Sequence, residues 1–299
     1  MIHDELFETL SGFAPISLEQ LNSTVEFLDR IDVKYLVHIS ELPSIIAEMK
    51  ERFYLLTIKD RSIFSYDNVY MDTKDLMFYN QHEAGSADRT KVRTRLYTDS
   101  DLAFVEYKQK VGKTIRKFRY QSEPKDHGKM TMESARYVEG IYHSLYNESL
   151  KQLLFPALHN NYQRCTLCSK NNDERVTIDF NIEFSNPRTT DEADKKMHSL
   201  DNLVIIESKS TNTSCFSHEV MAKHGCKPAT GCSKYCLGLY YLGQVDSWNS
   251  FQESIDTIEA IKKTDSQINA QQLFLSSRAA QSLSNAATSA SVPENQLTK

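Results

Sequence analysis

Charged and apolar residues alternate in several runs along this chain. In the stretch from Asp88 to Gln121, Lys, Arg and Glu recur at every second position, and Val, Thr, Tyr or Phe mostly lie between them. Successive side chains of a β-strand point to opposite faces of the sheet, so this period of two predicts strands with one charged face and one apolar face. Turn residues at 98–101 and at Gly112 divide the stretch into three neighbouring strands.

The same alternation predicts further strands, and apolar residues at helical spacing predict the helices between them. We expect strands at about 30–37, 62–72, 161–169, 174–180 and 202–210. We expect helices at about 17–28, 40–49, 75–82, 131–150, 216–224, 234–242 and 247–263. Ser17 and Gln20 form a capping-box pattern at the first of these helices. Met132, Tyr137, Ile141 and Leu145 are the expected buried side of the helix at 131–150.

The charged faces of these strands must lie together on one side of the predicted sheet. If the apolar faces pack on helices, the charged faces point inward, into an interior wide enough to hold water. Burying about ten cations without partners would cost several kcal/mol each, so this interior also requires an anionic ligand. The pattern therefore predicts an α+β fold in which a basic tunnel is surrounded by helices.

Local charge supports this interpretation more strongly than overall composition does. The chain has 299 residues, is 40% hydrophobic and 25% charged, and carries a net charge of −5. The stretch from Asp88 to Gln121 holds ten Lys and Arg residues against four acids, a local balance of +6. Arg forks and Lys point charges suit phosphate groups, so a phosphorylated ligand is the expected anion.

We expect one domain at residues 1–264, followed by a tail at 265–299 whose side chains are too polar and too small to form a core. Neither a signal peptide nor a long apolar run occurs, which predicts a cytoplasmic protein. Cys165 and Cys168 have the spacing of a zinc ligand pair. However, an offset of three on a strand sends them to opposite faces, so we expect six free thiols rather than a zinc site.

Several motifs, taken in order, resemble the VTC-type polyphosphate polymerase domain, a branch of the triphosphate tunnel metalloenzyme (CYTH-like) superfamily. The resemblance covers about residues 25–243. It rests on Arg30-Ile-Asp-Val-Lys34, Tyr70-Met-Asp72-Thr73, Arg89-Thr-Lys91-Val-Arg93-Thr-Arg95, Glu106-Tyr-Lys108-Gln-Lys110, Lys117-Phe-Arg119, Tyr162-Gln-Arg164, Arg175-Val-Thr-Ile-Asp179, Glu207-Ser-Lys209 and Ser233-Lys234-Tyr235.

This resemblance implies an antiparallel eight-stranded β tunnel, an open-ended barrel with helices packed outside, that binds ATP and inorganic polyphosphate. It implies that Glu207 holds a divalent metal, Mn²⁺ or Mg²⁺. The residues it implies for phosphate contact and catalysis are Lys34, Arg93, Arg95, Lys108, Arg164, Arg175 and Lys234. Further candidate ligand-binding residues are Lys91, Lys110, Lys117, Arg119 and Lys209.

The first strand departs from the wider superfamily in an informative way. Many tunnel triphosphatases carry Glu-x-Glu-x-Lys there, whereas this chain has Arg30-x-Asp32-x-Lys34. An Arg in place of the first Glu removes an anionic metal ligand and adds a phosphate contact. The substitution favours a polymerase, which transfers the γ-phosphoryl of ATP to a polyphosphate chain, over a hydrolase.

Two other classes of function stay open at this point. One is a hydrolase of triphosphate or nucleotide, and the other is a non-catalytic module for polyphosphate, inositol phosphates or RNA. We expect no nucleic-acid partner, because no RNA-binding or zinc-finger signature is present and the net charge is negative. Any export of polymer would need a separate membrane protein. Glu207 and Asp179 also have a simpler interpretation, as ion-pair partners of Lys209 and Arg175.

Overall fold

A computed structural model describes residues 2–23, 31–112, 114–189, 197–212 and 214–264. The chain divides into two compact units, Met1–Ile258 and Glu259–Lys299. Strands of the described chain are β1 (Ala14–Ile16), β2 (Ile31–His38), β3 (Phe53–Leu56), β4 (Phe64–Asp72), β5 (Asp88–Tyr97), β6 (Leu102–Val111), β7 (Thr114–Ser122), β8 (Phe155–Ser169), β9 (Glu174–Ser185), β10 (His198–Leu200) and β11 (Leu203–Ser210).

Helices lie between these strands. They are α1 (Ile2–Ser11), α2 (Leu18–Ser23), α3 (Leu42–Met49), α4 (Met77–Glu83), α5 (Met132–Tyr146), α6 (Phe216–Lys223) and α7 (Lys234–Tyr241). Single 3₁₀ turns cover Ile39–Glu41, Pro124–Asp126 and Asn249–Phe251. A further helix begins at residue 252, and the described chain ends at residue 264.

Eight strands form one antiparallel path in the order β2-β11-β9-β8-β4-β5-β6-β7. Short strands extend this sheet, since β3 pairs with β8, β10 pairs with β9, and β1 pairs in parallel with β3. The predicted α+β class and the antiparallel sheet are confirmed. The sheet is not closed into a barrel, because within the described chain no ladder joins β2 to β7.

The outer edge of β2 explains why the sheet stays open. Tyr35 of β2 forms an isolated bridge with Pro228, and the amide of Ala229 donates to the carbonyl of Lys34 at 2.7 Å. These contacts use backbone groups that a closing strand would need. The observed sheet therefore differs from the predicted closed tunnel. The edge of β2 is covered by the connecting segment that contains Pro228 and Ala229, and not by β7.

Helices pack on the apolar face of the sheet, as the alternating pattern predicts. The apolar side of α3, including Ile45 and Ile46, joins Ile178 of β9 and Ile206 of β11 in one core cluster. A second cluster places Val138 and Ile141 of α5 against β4, β5 and β6. Each fully buried aliphatic side chain contributes about 1.5–3 kcal/mol, so these contacts fix which face of the sheet is turned away from the helices.

The prediction that Met132 is buried is wrong. Its side chain is 72% exposed. Thr131 caps the helix by accepting a hydrogen bond from the amide of Ser134 at 3.2 Å, which places Met132 in the first turn. Ser134 is buried close by, and the apolar contacts of α5 come from Val138 and Ile141 further along.

Most predicted elements are present, with different bounds. β8 begins at Phe155 and β9 ends at Ser185, so both are longer than predicted. The Ser17 hydroxyl accepts from the Gln20 amide at 3.1 Å and the Gln20 side chain accepts from the Ser17 amide at 3.0 Å, which is the predicted capping box. The pattern did not reveal α1, β1 or β3. Residues 24–30 and the proposed tail at 265–299 lie outside the described residues.

All six cysteines are free thiols. Cys165 lies in the core cluster that contains α3, whereas Cys168 packs with Ile16 and Leu21 in a separate cluster. The two thiols therefore lie on different faces of β8, as expected from their spacing. No helix in the described part of the chain is both long enough and apolar enough to cross a membrane.

Candidate functional site

The register of the antiparallel sheet brings the charged residues of different strands to one face. On one half of the sheet, Lys34 lies opposite Glu207, and Glu207 lies opposite Thr177. Directly opposed residues in an antiparallel pair point to the same side. We call this side, which faces away from the helices, the charged face.

The other half of the sheet continues the charged face across β4 to β7. Its opposed pairs are Asn68 with Arg95, Tyr70 with Arg93, Arg93 with Glu106, Glu106 with Arg119, Lys91 with Lys108, Lys108 with Lys117, and Arg89 with Lys110. Two contacts join the halves: Arg95 donates to the hydroxyl of Tyr162 at 3.1 Å, and the guanidinium of Arg164 lies 5.1 Å from the centre of the Tyr66 ring.

The sheet curves so that strands far apart in its order approach each other across the charged face. Burial lowers the pKa of Lys108 well below its ordinary value, and the charges of Lys91, Lys117 and Lys34 lower it further. Lys34 belongs to β2, at the opposite end of the strand order from β6. Hydrogen bonds show the same approach, since Lys34 of β2 donates to the carbonyl of Cys232 and Lys91 of β5 donates to the hydroxyl of the adjacent Ser233, both at 2.8 Å.

Asp179 is the centre of one ion-pair group. Its carboxylate accepts two hydrogen bonds from Arg164, one of them at 2.7 Å, and contacts the ammonium of Lys234 from the first turn of α7. Burial opposes ionisation, but the two cations outweigh it and lower the pKa of Asp179 to about 2. The simpler interpretation, in which Asp179 pairs with Arg175, is wrong: these residues are four positions apart on one strand, whereas Arg164 lies directly opposite Asp179.

Arg93 and Arg95 are held in place by different kinds of partner. Arg93 donates to Glu106 at 2.6 Å and to the hydroxyl of Tyr70 at 3.2 Å. Arg95 donates to the side-chain oxygen of Asn68 at 2.8 Å, and Asn68 is fully buried. Both guanidinium groups are thus oriented before any ligand binds, which is a requirement for stabilising charge that develops during a reaction.

Three lysines of the charged face lack a carboxylate partner. Lys34 donates to the carbonyl of Cys232 at 2.8 Å, and Lys91 donates to the hydroxyl of Ser233 at 2.8 Å. Lys108 forms no hydrogen bond or ion pair with any described residue. Burial, together with the charges of Lys34, Arg89 and Arg93, lowers the pKa of Lys91 to about 8. Lys91 and Lys108 therefore provide positive charge that no described carboxylate pairs with, whereas burial of Lys34 is outweighed by nearby charges, chiefly that of Glu207, which raise its pKa.

The remaining predicted residues lie around this centre. Arg175 is opposite Lys209 and donates to the carbonyl of Leu21 at 3.0 Å, so it lies where the sheet meets α2. The guanidinium of Arg119 lies 4.8 Å from the centre of the Phe104 ring. Arg30 lies outside the described residues.

Glu207 is the carboxylate expected to hold a metal. It forms an ion pair with Lys209 at 2.7 Å. Burial opposes its ionisation, yet Lys209 and Lys34 keep its pKa well below the ordinary value. No group of three or more His, Cys, Asp or Glu residues in the described chain is arranged to hold a metal ion.

The donors near Glu207 nevertheless fit a hard cation. Asp32 lies diagonally across on the same face, and the buried hydroxyl of Thr177, directly opposite Glu207, has no hydrogen-bond partner among the described residues. Mg²⁺ and similar ions are commonly held by one or two carboxylates and completed by substrate phosphates. The residues present fit that kind of site, with Glu207 as the residue that would hold the ion.

The sequence did not single out several polar and aromatic groups of this site. Tyr66 stacks on Tyr162, with ring centres 5.1 Å apart, and Arg95 lies 5.0 Å from the centre of the same Tyr66 ring. The two tyrosines of β4, Tyr66 and Tyr70, are four positions apart and therefore share the charged face, which the period of two could have revealed. Ser233 and Cys232 could not be found in this way, because they lie on a loop before α7.

The model of a protein family described as the VTC domain matches residues 29–242. No curated protein matches the chain significantly. Among solved structures, a putative adenylate cyclase from Vibrio parahaemolyticus is 8% identical, with a TM-score of 0.36, covering 66% of this chain and 86% of that one. The putative adenylyl cyclase HpAC1 from Hippeastrum, whose structure is reported to reveal a dominant triphosphatase activity, is 11% identical to this chain. Its TM-score is 0.40, and the match covers 74% of this chain and 99% of that one. At TM-scores below 0.5 these likenesses support no further argument.

Proposed function

The chain belongs to the VTC domain family, and from this premise we propose that it transfers the γ-phosphoryl group of ATP onto a growing inorganic polyphosphate chain. The observation that carries the proposal is Lys108, a half-buried cation whose side chain has no partner in the described chain, beside Lys34, Lys91 and Lys117. Like charges brought together in a low-dielectric interior are unfavourable unless an anion joins them. A polyphosphate or triphosphate tail supplies several negative charges in a row.

The surrounding residues suit phosphoryl transfer, which needs positioning and charge neutralisation more than covalent chemistry. Arg93 and Arg95 are preoriented donors for the charge that develops on the transferred group. Lys34, Lys91 and Lys108 would bind phosphate oxygens along the chain. Glu207 would hold Mn²⁺ or Mg²⁺, which would supply positive charge to neutralise the phosphate groups.

Arg164 and Lys234 have a shared role in this proposal. Both contact Asp179, and two cations on one carboxylate leave positive charge available. Their shared carboxylate fixes their positions, so a phosphate group that reaches them would meet donors that are already ordered. Arg175, at the edge of the face, would bind the outer part of the chain.

The direct test is to incubate the purified protein with ATP and Mn²⁺ and to separate the products on a gel. We expect long phosphate chains and ADP. Orthophosphate as the only phosphate product would contradict polymerisation and favour a hydrolase. Binding of polyphosphate without any turnover, over a range of metals, would favour a non-catalytic module.

Glu207→Gln provides a matched control for this assay. The substitution keeps the size of the side chain but removes the charge that would hold the metal, so we expect turnover to be lost while the protein stays folded. A far-ultraviolet circular dichroism spectrum checks the fold. Full activity of this variant in Mn²⁺ would assign the metal to another carboxylate. A separate membrane protein that exports the polymer remains part of the proposal.

A further inference from the structure

Thr177 presents an unusual buried hydroxyl in the middle of β9. The residue is 4% exposed, and its Oγ1 has no hydrogen-bond partner among the described residues. Most buried polar side-chain atoms in folded proteins are hydrogen-bonded, because an unpaired one loses its interaction with water without replacement. A Val of nearly the same shape would avoid this cost. We therefore expect the hydroxyl of Thr177 to have a functional role that offsets this cost.

The register of the sheet places this hydroxyl beside the metal candidate. Thr177 is directly opposite Glu207 on β11 and directly opposite Thr166 on β8. Opposed residues of an antiparallel pair have Cβ atoms about 4.5–5.5 Å apart, so the Thr177 hydroxyl lies within reach of the side chain of Glu207. Lys34 flanks Glu207 on the other side, from β2.

Glu207 is engaged by a cation in the ligand-free protein. Its Oε2 atom lies 2.7 Å from the ammonium of Lys209, two residues further along β11. A divalent cation that binds through this oxygen displaces Lys209, and the carboxylate then needs a new hydrogen-bond donor to fix its orientation. Carboxylates that bind metals are usually hydrogen-bonded in this way, and loss of such a donor typically weakens metal binding about 10–100-fold.

We propose that the hydroxyl of Thr177 is this donor: it orients Glu207 when a divalent cation replaces Lys209 on the carboxylate. Thr177 is thus a positioning residue that acts through Glu207. The inference rests on the proposed metal-dependent phosphate site. It explains why a hydroxyl is kept in a place where it has no partner until the metal and phosphate arrive.

The test measures the affinity of the full chain for inorganic tripolyphosphate by calorimetry, with and without Mn²⁺. For Thr177→Val, we expect the enhancement by Mn²⁺ to fall about tenfold or more, while the affinity without metal stays unchanged. The melting temperature of the ligand-free variant should rise, because an unpaired buried hydroxyl has been removed. Thr177→Ser, which keeps the hydroxyl, should retain the enhancement.

Thr166→Val is the matched control. Thr166 lies on the same row but two strands away from Glu207, roughly 10 Å at the usual strand spacing, so we expect its loss to leave the enhancement unchanged. Unchanged enhancement in Thr177→Val, or an equal loss in both variants, would overturn the inference.

The same data separate this inference from the proposed function. If the wild type makes long phosphate chains and Thr177→Val keeps its full enhancement by Mn²⁺, the inference is wrong and the function stands. If the wild type makes no polymer but Thr177→Val alone loses the enhancement, the function is wrong and the inference stands. If the affinity of the wild type for tripolyphosphate is the same with and without Mn²⁺, both roles are wrong: Glu207 does not bind the metal, and Thr177 does not orient Glu207 for it.

Discussion

Neighbouring cations of the charged face differ in how the protein holds them. Arg93 is bound by Glu106, Arg95 by Asn68, and Lys108 by no described residue. The two arginines are therefore hydrogen-bond donors in fixed positions, and the ammonium of Lys108 is available to pair with a bound anion. At the scale of single residues, this difference separates groups that act on rate from groups that act on affinity.

Lys91 should destabilise the protein when no ligand is bound. Its pKa falls from 10.5 in the unfolded chain to about 8 in the folded protein, so folding disfavours the charged form. The resulting loss of stability is fully present below pH 8 and disappears as the pH rises towards 10.5. We expect Lys91→Met to raise the free energy of unfolding at pH 7 by up to about 3 kcal/mol.

Urea unfolding between pH 7 and pH 10.5 checks this sign. The difference between Lys91→Met and the wild type should shrink as the pH rises. Lys91→Arg, which keeps the charge at every pH, should show no such gain. A Lys91→Met variant less stable than the wild type at pH 7 would show that the contact with Ser233 outweighs the charge.

Arg95→Ala tests transition-state stabilisation. Loss of one preoriented donor typically lowers turnover about 10²–10³-fold, whereas binding of a nonhydrolysable ATP analogue should weaken much less. Arg95 is the better of the two arginines for this purpose, because its hydrogen-bond partners Asn68 and Tyr162 are neutral, and Glu106, 3.9 Å away, keeps its closer ion pair with Arg93. Steady-state kinetics beside direct titration separate the effects, and equal losses in both would count against the role.

At the scale of elements, the start of α7 joins the helix layer to the charged face. Ser233 caps α7 by accepting from the amide of Cys236 at 3.3 Å, and the same hydroxyl accepts from Lys91. In the same first turn, the hydroxyl of Tyr235 donates to Asp72, whose carboxylate also accepts hydrogen bonds from the backbone amides of Phe78 and Tyr79 in α4. This buried link holds α7, and with it Lys234, in position.

Tyr235→Phe removes the link without changing the shape of the core. We expect the free energy of unfolding to fall by about 1.5–3 kcal/mol, the range for a hydrogen bond to a charged group. Tyr79→Phe is the matched control, because Tyr79 is equally buried but its hydroxyl donates to the neutral carbonyl of Ser247. Its loss should be smaller, about 0.5–1.5 kcal/mol. Equal losses measured by urea unfolding would show that Asp72 takes no special part.

At the scale of the whole molecule, charge is divided unequally. The chain has a net charge of −5, although the charged face is rich in Lys and Arg. The residues outside Asp88–Gln121 carry a net negative charge, which disfavours a polyanion, so we expect a phosphate chain to bind at the charged face. This unequal distribution of charge would direct a polyanion to one site, although a phosphate chain has no bases or side chains that the protein could recognise.

The salt dependence of polyphosphate binding tests this division. Lys108→Ala should weaken binding and reduce its dependence on ionic strength, because one buried charge no longer contributes. Lys125→Ala removes an exposed lysine from the loop after β7 and should change neither quantity. Equal effects of the two variants would mean that the ligand is attracted by overall charge rather than by the charged face.

The sequence by itself determined the main strands of the sheet and their two faces, and it predicts a phosphorylated ligand. The period of two in Arg89, Lys91, Arg93 and Arg95 is a local property, and a sheet that buries the opposite face on helices must carry all four cations on one side. The order of the motifs indicated the family for the same reason, since most motifs are short stretches of one strand.

Only the tertiary structure decided which of these charges meet. Asp179 pairs with Arg164 and Lys234 rather than Arg175, and Thr177 lies opposite Glu207, because strand order and register join residues that are far apart in the chain. The open edge of β2 likewise depends on Pro228 and Ala229, in a loop without any repeating pattern. Periodicity fixes the side of the sheet on which a residue lies, but its neighbours across the sheet follow from long-range pairing.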